Sequence, residues 1–203
     1  MTARKKVMSK KLLGWLGGIE VAIFTVLQGS AVTLGLLVAP VLFVTIRQSG
    51  ATVNPDDLAG KVFGNILHIW LWATLVCALI LLATAIYTYA KIQPRRRLLL
   101  GRVLTMGLIT ALTLGFAYTL FRIDTIQAGL TKPIDAYPAG VGARGEFDFL
   151  HNLSTDLISA SLLVGTVWLV LSVLAVVSFY RQEVYHADTT NTVSLKEEAQ
   201  AKA

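Results

Sequence analysis

Few side chains in this sequence can do chemistry, and they lie far apart. Two imidazoles, His68 and His151, are the candidates for metal or haem ligation, because histidines from two helices can hold a haem iron between them. Glu20, Arg102, Arg122 and Asp156 lie in or beside apolar runs. Ionisable groups are rare there and point to function by default. Gln28 adds an amide within an apolar run. The single cysteine, Cys77, can form neither an internal disulfide nor a thiolate cage and reads as a packed thiol. Phosphate loop, nucleophile elbow and His-Glu-x-x-His motif are all missing. The expectation is a protein that is not an enzyme and has no resident cofactor.

The elements that must position these groups are membrane spans. Of 203 residues, 55% are hydrophobic and 15% charged, where a soluble domain carries roughly 25% charge. With a mean hydropathy of +0.65, an ordinary soluble enzyme and a disordered chain are both excluded. A helix needs about 20 apolar residues to cross the bilayer core. Four runs qualify, at about 21–43, 66–87, 103–121 and 157–179. The first is too long for a signal-peptide core and lacks a cleavage site after it, so it reads as retained. The expected fold is all-α: a polytopic integral membrane four-helix bundle over residues 1–185, with a polar, mobile tail at 186–203.

Charge sets the orientation. Five of the 18 Lys and Arg fall in the first eleven residues and five more between Lys91 and Arg102. The 44–60 loop carries only Arg47, and the 122–150 loop Arg122, Lys132 and Arg144. Short cytoplasmic loops are the Lys/Arg-rich ones, which predicts cytoplasmic N- and C-termini in a plasma membrane or bacterial cytoplasmic membrane. The net charge of +6 then points to anionic lipid headgroups, at about 1 kcal/mol per basic residue, and not to nucleic acid. Trp15, Trp70 and Trp72 fall near interfaces, and Trp168 near mid-membrane as a packing residue.

Depth connects the polar residues. At about 1.5 Å per residue, Glu20 and Arg102 lie roughly 18 and 15 Å to the inner side of their span centres. They form an ion pair, or each snorkels separately into the headgroups. On the outer side, Pro40, His68, Arg122 and Asp156 lie roughly 12–18 Å from theirs. If their faces agree, Asn65, His68, Arg122 and Asp156 make an outward-opening polar cup with Arg122–Asp156 as its ion pair. Otherwise they are independent interfacial residues. Gly17, Glu20, Phe24, Gln28, Ala31 and Gly35 recur at spacings of three and four, so they line one face of the first helix. Gly17, Gln28, Ala31 and Gly35 read as a helix-packing seam. Gln28 either bonds another helix or lines a substrate path. Pro40 should kink this span and free the carbonyl of Leu36. His151 lies roughly 25 Å from its span centre against roughly 13 Å for His68. That offset argues against haem held between them. Copper lacks a Met/His cluster, so His68 and His151 are weak metal candidates, and His151 reads as a cap or anchor at the start of the fourth helix.

Three motifs carry a family resemblance: Val38-Ala39-Pro40-Val41-Leu42-Phe43, Ala59-Gly60-Lys61-Val62-Phe63-Gly64, and Phe147-Asp148-Phe149-Leu150-His151-Asn152-Leu153-Ser154. Over about residues 15–180 the chain resembles the four-helix membrane proteins related to transmembrane protein 205, a domain of uncharacterised function. It is distantly similar to copper-resistance D-type membrane domains. The resemblance implies no catalytic residues and keeps haem or copper as minor alternatives. The leading expectation is an accessory or interaction subunit of a larger membrane assembly, partnered by other membrane subunits or by itself. The alternative is a small oligomeric transporter or resistance protein that uses the cup and Gln28 as a path.

Overall fold

The computed structural model describes the backbone of residues 2–50, 54–91 and 96–201 and the side chains of residues 14–50, 54–90 and 97–178. Helix α1 (Thr2–Thr33) runs through a π turn (Leu34–Val38) into α2 (Ala39–Gln48). Helices α3 (Pro55–Lys91), α4 (Arg96–Ala128) and α5 (Gly142–Ala201) follow, with a 3-10 turn at Ile134–Ala136. There is no strand among the described residues. Four stretches, Gly14–Gln48, Pro55–Ala90, Arg97–Ala128 and Gly142–Ser178, are long and apolar enough to cross a membrane. The chain is thus a multi-pass, all-α membrane bundle. The side chains of the basic N-terminal cluster, of Lys91, Arg95 and Arg96, and of the tail expected at 186–203 lie outside the described residues; the backbone of that tail continues α5 as helix to Ala201. Below, the bundle end holding the start of α1 and the α3–α4 connection is proximal, and the opposite end distal.

Each helix outruns its apolar stretch, because the backbone ladder continues where hydropathy stops. Helix α3 opens with Pro55, which suits a first helical position. Asp56 and Asp57 follow in its first turn, where the helix dipole favours carboxylates. Arg47, in the last turn of α2, donates to Asp56 from Nε at 2.6 Å and from its terminal nitrogen at 3.1 Å. This two-point bond fastens α2 to α3.

Proline lacks an N–H and its ring collides with the carbonyl four residues back. The chain answers Pro40 by widening the ladder: the N–H of Ala39 reaches the carbonyl of Leu34, five residues back. The disturbance expected at Leu36 therefore takes the form of a π turn, a feature frequent at functional sites.

Packing divides into two clusters. The proximal one joins Phe24, Ala78, Leu81, Met106, Ile109 and Trp168, with the Phe24 and Trp168 rings 4.5 Å apart. The distal one joins Leu71, Phe116 and Leu120. Ile69 and Leu163 are 74% and 72% exposed, which assigns their faces to lipid. The buried hydroxyls of Thr110, Thr113 and Thr119 donate to the carbonyls of Met106, Ile109 and Phe116. They are satisfied within their own helix, as an apolar setting requires.

The seam on α1 packs only in part. A Cβ at Gly17 would stand 2.9 Å from Val176 of α5. Opposite Gln28, a Cβ at Gly165 would come within 1.6 Å of the Gln28 amide nitrogen and 3.0 Å of Phe24. Gly17 and Gly165 thus permit the close α1–α5 approach that membrane helices use in place of hydrophobic driving force. Farther along, a Cβ at Gly35 would meet nothing within 4 Å. The seam expected to run through Ala31 and Gly35 therefore stops near Gln28. Beyond Gln28, α1 is held to the bundle by the Trp70–Ser30 bond, and Ala31 and Gly35 border open space.

Candidate functional site

Two polar constellations sit at opposite ends of the bundle. At the proximal end, Arg102 of α4 donates to the Glu20 carboxylate of α1 and, through Nε at 3.0 Å, to the Ser172 hydroxyl of α5. The two charged side chains are only 3% and 7% exposed. The guanidinium also lies over the Trp168 ring, 5.6 Å from its centroid, an arrangement that attracts a cation to the ring face. The matched heights of Glu20 and Arg102 thus correspond to direct contact. Trp168 is fully buried, and its indole N–H has no partner among the described residues.

At the distal end a cavity of about 930 Å³ opens between all the helices. Its walls toward the bundle interior are mainly apolar, from Ala31, Leu34 and Gly35 of α1 and the π turn, Phe43 of α2, Trp70 of α3 and Phe116 of α4, with the hydroxyls of Ser154, Thr155 and Ser159 on the α5 side. Its rim is polar, with Asp56, Asp57, Lys61, Asn65, His68, Asp124, Asp135 and His151 among the lining residues. Ala31, Trp70, Phe116 and Ile158 also border a smaller chamber of about 40 Å³ beneath it. That volume suits on the order of two waters. Gln28, Thr74 and Ser161 line it. The Gln28 amide donates to the Ser161 carbonyl at a long 3.5 Å, and the enclosed Thr74 hydroxyl has no partner among the described residues. Trp70 donates from its indole to Ser30 at 2.9 Å and so ties α3 to α1 above the chamber.

The cup expected from sequence is rebuilt with other residues. Asn65 and His68 line the cavity; Arg122 and Asp156 do not. Arg122 donates to Glu146, and Asp156 is exposed, without a partner among the described residues. Two causes separate this expected pair. Helix α5 begins at Gly142, which carries Glu146 to the level of Arg122. Asp156 also shares its helix face with lipid-exposed Leu163 and Val170, seven and fourteen residues on. His68 is held by Asp124, with Nε2 2.6 Å from Oδ2, and its ring lies 5.6 Å from that of Phe121. His151 does not cap α5, since the helix starts at Gly142. It stacks on Phe147 at 6.0 Å and 7° and borders the cavity.

Sequence reasoning missed Asp56, Asp57, Asp124 and Asp135, which lie outside the apolar windows. The available signals were Asp56 and Asp57 next to Pro55 and Asp124 one turn past the third window. Among the described residues no group of three His, Cys, Asp or Glu could hold a metal ion, and the His68 Nε2 is already engaged by Asp124.

Residues 22–122 match the family model of a domain of unknown function, DUF4149. The matched stretch runs from within α1 to the distal part of α4 and includes the π turn, Pro40, His68 and Arg102. It is consistent with an uncharacterised membrane family. No curated protein and no solved structure matches the chain.

The two ends should differ sharply in energetic weight. Removing one member of a buried pair strands a charge and costs about 3–5 kcal/mol, whereas an apolar pair of similar volume is often neutral. Exposed pairs contribute about 0–1 kcal/mol. Thermal unfolding in detergent should therefore show Glu20→Ala and Arg102→Ala strongly destabilised, Arg122→Ala near wild type, and Glu20→Leu with Arg102→Met largely restored. Equal losses for Arg102→Ala and Arg122→Ala would remove the proximal pair from its structural role.

Proposed function

We propose that the protein is a non-enzymatic membrane protein that receives an amphipathic molecule in its distal cavity. The observation that carries this reading is the division of the 930 Å³ cavity into an apolar interior and a polar rim. Ligand pockets typically span about 300–1,000 Å³ and are mostly apolar with a few placed polar groups. A molecule with a hydrocarbon or ring body and a polar head matches that division. The π turn in the wall supports the same reading. We take the distal end to face outward, from the Lys/Arg asymmetry of the loops. Below the chamber, Phe24, Trp168 and the Glu20–Arg102 pair fill the bundle, which favours capture from one side over an open pore. Kinship with the transmembrane protein 205-like family rests on the motifs around Pro40 and His151 and adds no assigned residues.

An alkyl amphiphile carrying a diazirine on its chain, added to the protein in bilayer discs, tests the reading. Light should attach it to cavity residues such as Ala31, Leu34 and Phe116 in addition to lipid-facing Leu163. Gly35→Phe, which places a ring in the open space at Gly35, should abolish the cavity adducts and spare those at Leu163. Adducts confined to lipid-facing positions in the unaltered protein would refute the proposal.

A second reading, an accessory subunit of a larger assembly, is favoured by Asp156. A carboxylate without a partner among the described residues, on a lipid-exposed helix face, is suited to a basic or hydrogen-bonding side chain of a neighbouring subunit. Any stable assembly isolated from native membrane should then be lost in Asp156→Leu, with the monomer still folded. An assembly unaffected by that change would remove this reading.

A further inference from the structure

The rim of the distal cavity is asymmetric in charge. Four carboxylates, from Asp56, Asp57, Asp124 and Asp135, border the cavity, against one ammonium, that of Lys61. The guanidiniums that pair with Asp56 and Asp135 belong to Arg47 and Arg144. Neither arginine is among the lining residues. Each of these carboxylates keeps lone pairs beyond those its arginine uses, since an ionised carboxylate offers about four such sites. Lys61 is itself bonded to Asp57 at 2.8 Å, so it has little to offer an anion.

A second, independent feature points the same way. Aromatic rings from three helices, Phe43, Phe63, Trp70 and Phe116, line the cavity walls. Ring faces attract cations, and most strongly where water is excluded. A positively charged head therefore meets acceptors at the rim and rings just below it. An anionic head meets four carboxylates and one engaged ammonium. The enclosed Thr74 hydroxyl, without a partner among the described residues, lies in the chamber beneath.

Resting on the reading of this cavity as an amphiphile site, we propose that its ligand is a cationic amphiphile: an amine or quaternary ammonium joined to a hydrocarbon or fused-ring body. The rim carboxylates and wall aromatics hold the cation, and the apolar interior holds the body. Asp124 is the central acceptor, because its partner is the imidazole of His68 and not a permanently charged base. Recognition by the head makes the site selective among amphiphiles of one chain length.

Competition against the diazirine labelling of Ala31 and Leu34 tests the proposal, in discs of zwitterionic lipid so that surface charge does not bias partitioning. Dodecyltrimethylammonium, dodecanol and dodecyl sulfate serve as competitors. Dodecyltrimethylammonium should block the cavity adducts at a concentration about tenfold or more below the other two, the scale of one or two partly desolvated charge contacts. Asp124→Asn should reduce that preference severalfold while the neutral diazirine amphiphile still labels the cavity. Equal competition by all three, or stronger competition by dodecyl sulfate, would overturn the cationic assignment and leave the amphiphile site standing. Absence of cavity adducts with any probe would instead overturn the site itself. Labelling of Asp124→Asn by the neutral probe also serves as the check that this variant folds.

Discussion

The fold depends on one costly contact, the Glu20–Arg102 ion pair enclosed at the proximal end. Two charges removed from water carry a desolvation penalty of several kcal/mol each, offset only when geometry and extra hydrogen bonds are good. Here both conditions are met by other helices. Ser172 accepts from the guanidinium, and Trp168 presents its ring to it. The pair therefore joins α1, α4 and α5 at one point. Gly17 allows α1 to lie against α5 just before that point, and Phe24 meets Trp168 just after it, the two rings tilted by 51°.

Anchorage at one end shapes the other. Past Gln28 the α1 seam has no facing surface, and the ladder widens into a π turn ahead of Pro40. Helix α2 is then retained by the Arg47–Asp56 bond, while Trp70 holds the end of α1 through Ser30. Between Ser30 and Phe43 the span has no buried residue, and the hollow beside it is the distal cavity. Its interior is apolar because the same α3 and α4 surfaces would otherwise pack on α1. Its rim is polar because α3 and α5 extend beyond their apolar windows.

The spans were legible in the sequence, since an apolar run of about 20 residues matches the thickness of a bilayer core. Glu20 and Arg102 were also legible as a pair, because height along a helix follows from residue number alone. Azimuth does not, and that is where Arg122–Asp156 failed: the two sit on different faces, while Glu146 enters because α5 begins at Gly142. Hydropathy windows end at the apolar boundary, so Asp56, Asp124 and Asp135 escaped notice although they border the cavity. The cavity itself had no signature. It arises where a small-residue stripe, read as a packing seam through Ala31 and Gly35, meets no partner.

The central claim is that this hollow opens to the outer side and binds an amphiphile, while the proximal end is closed. Gly35→Cys in a Cys77→Ala background tests it most directly, because Gly35 borders the cavity with open space around it. In sealed cells or right-side-out vesicles, a membrane-impermeant maleimide added outside should modify this cysteine, and dodecyltrimethylammonium should protect it. Modification only from the cytoplasmic side, or at a rate the amphiphile leaves unchanged, would contradict the claim.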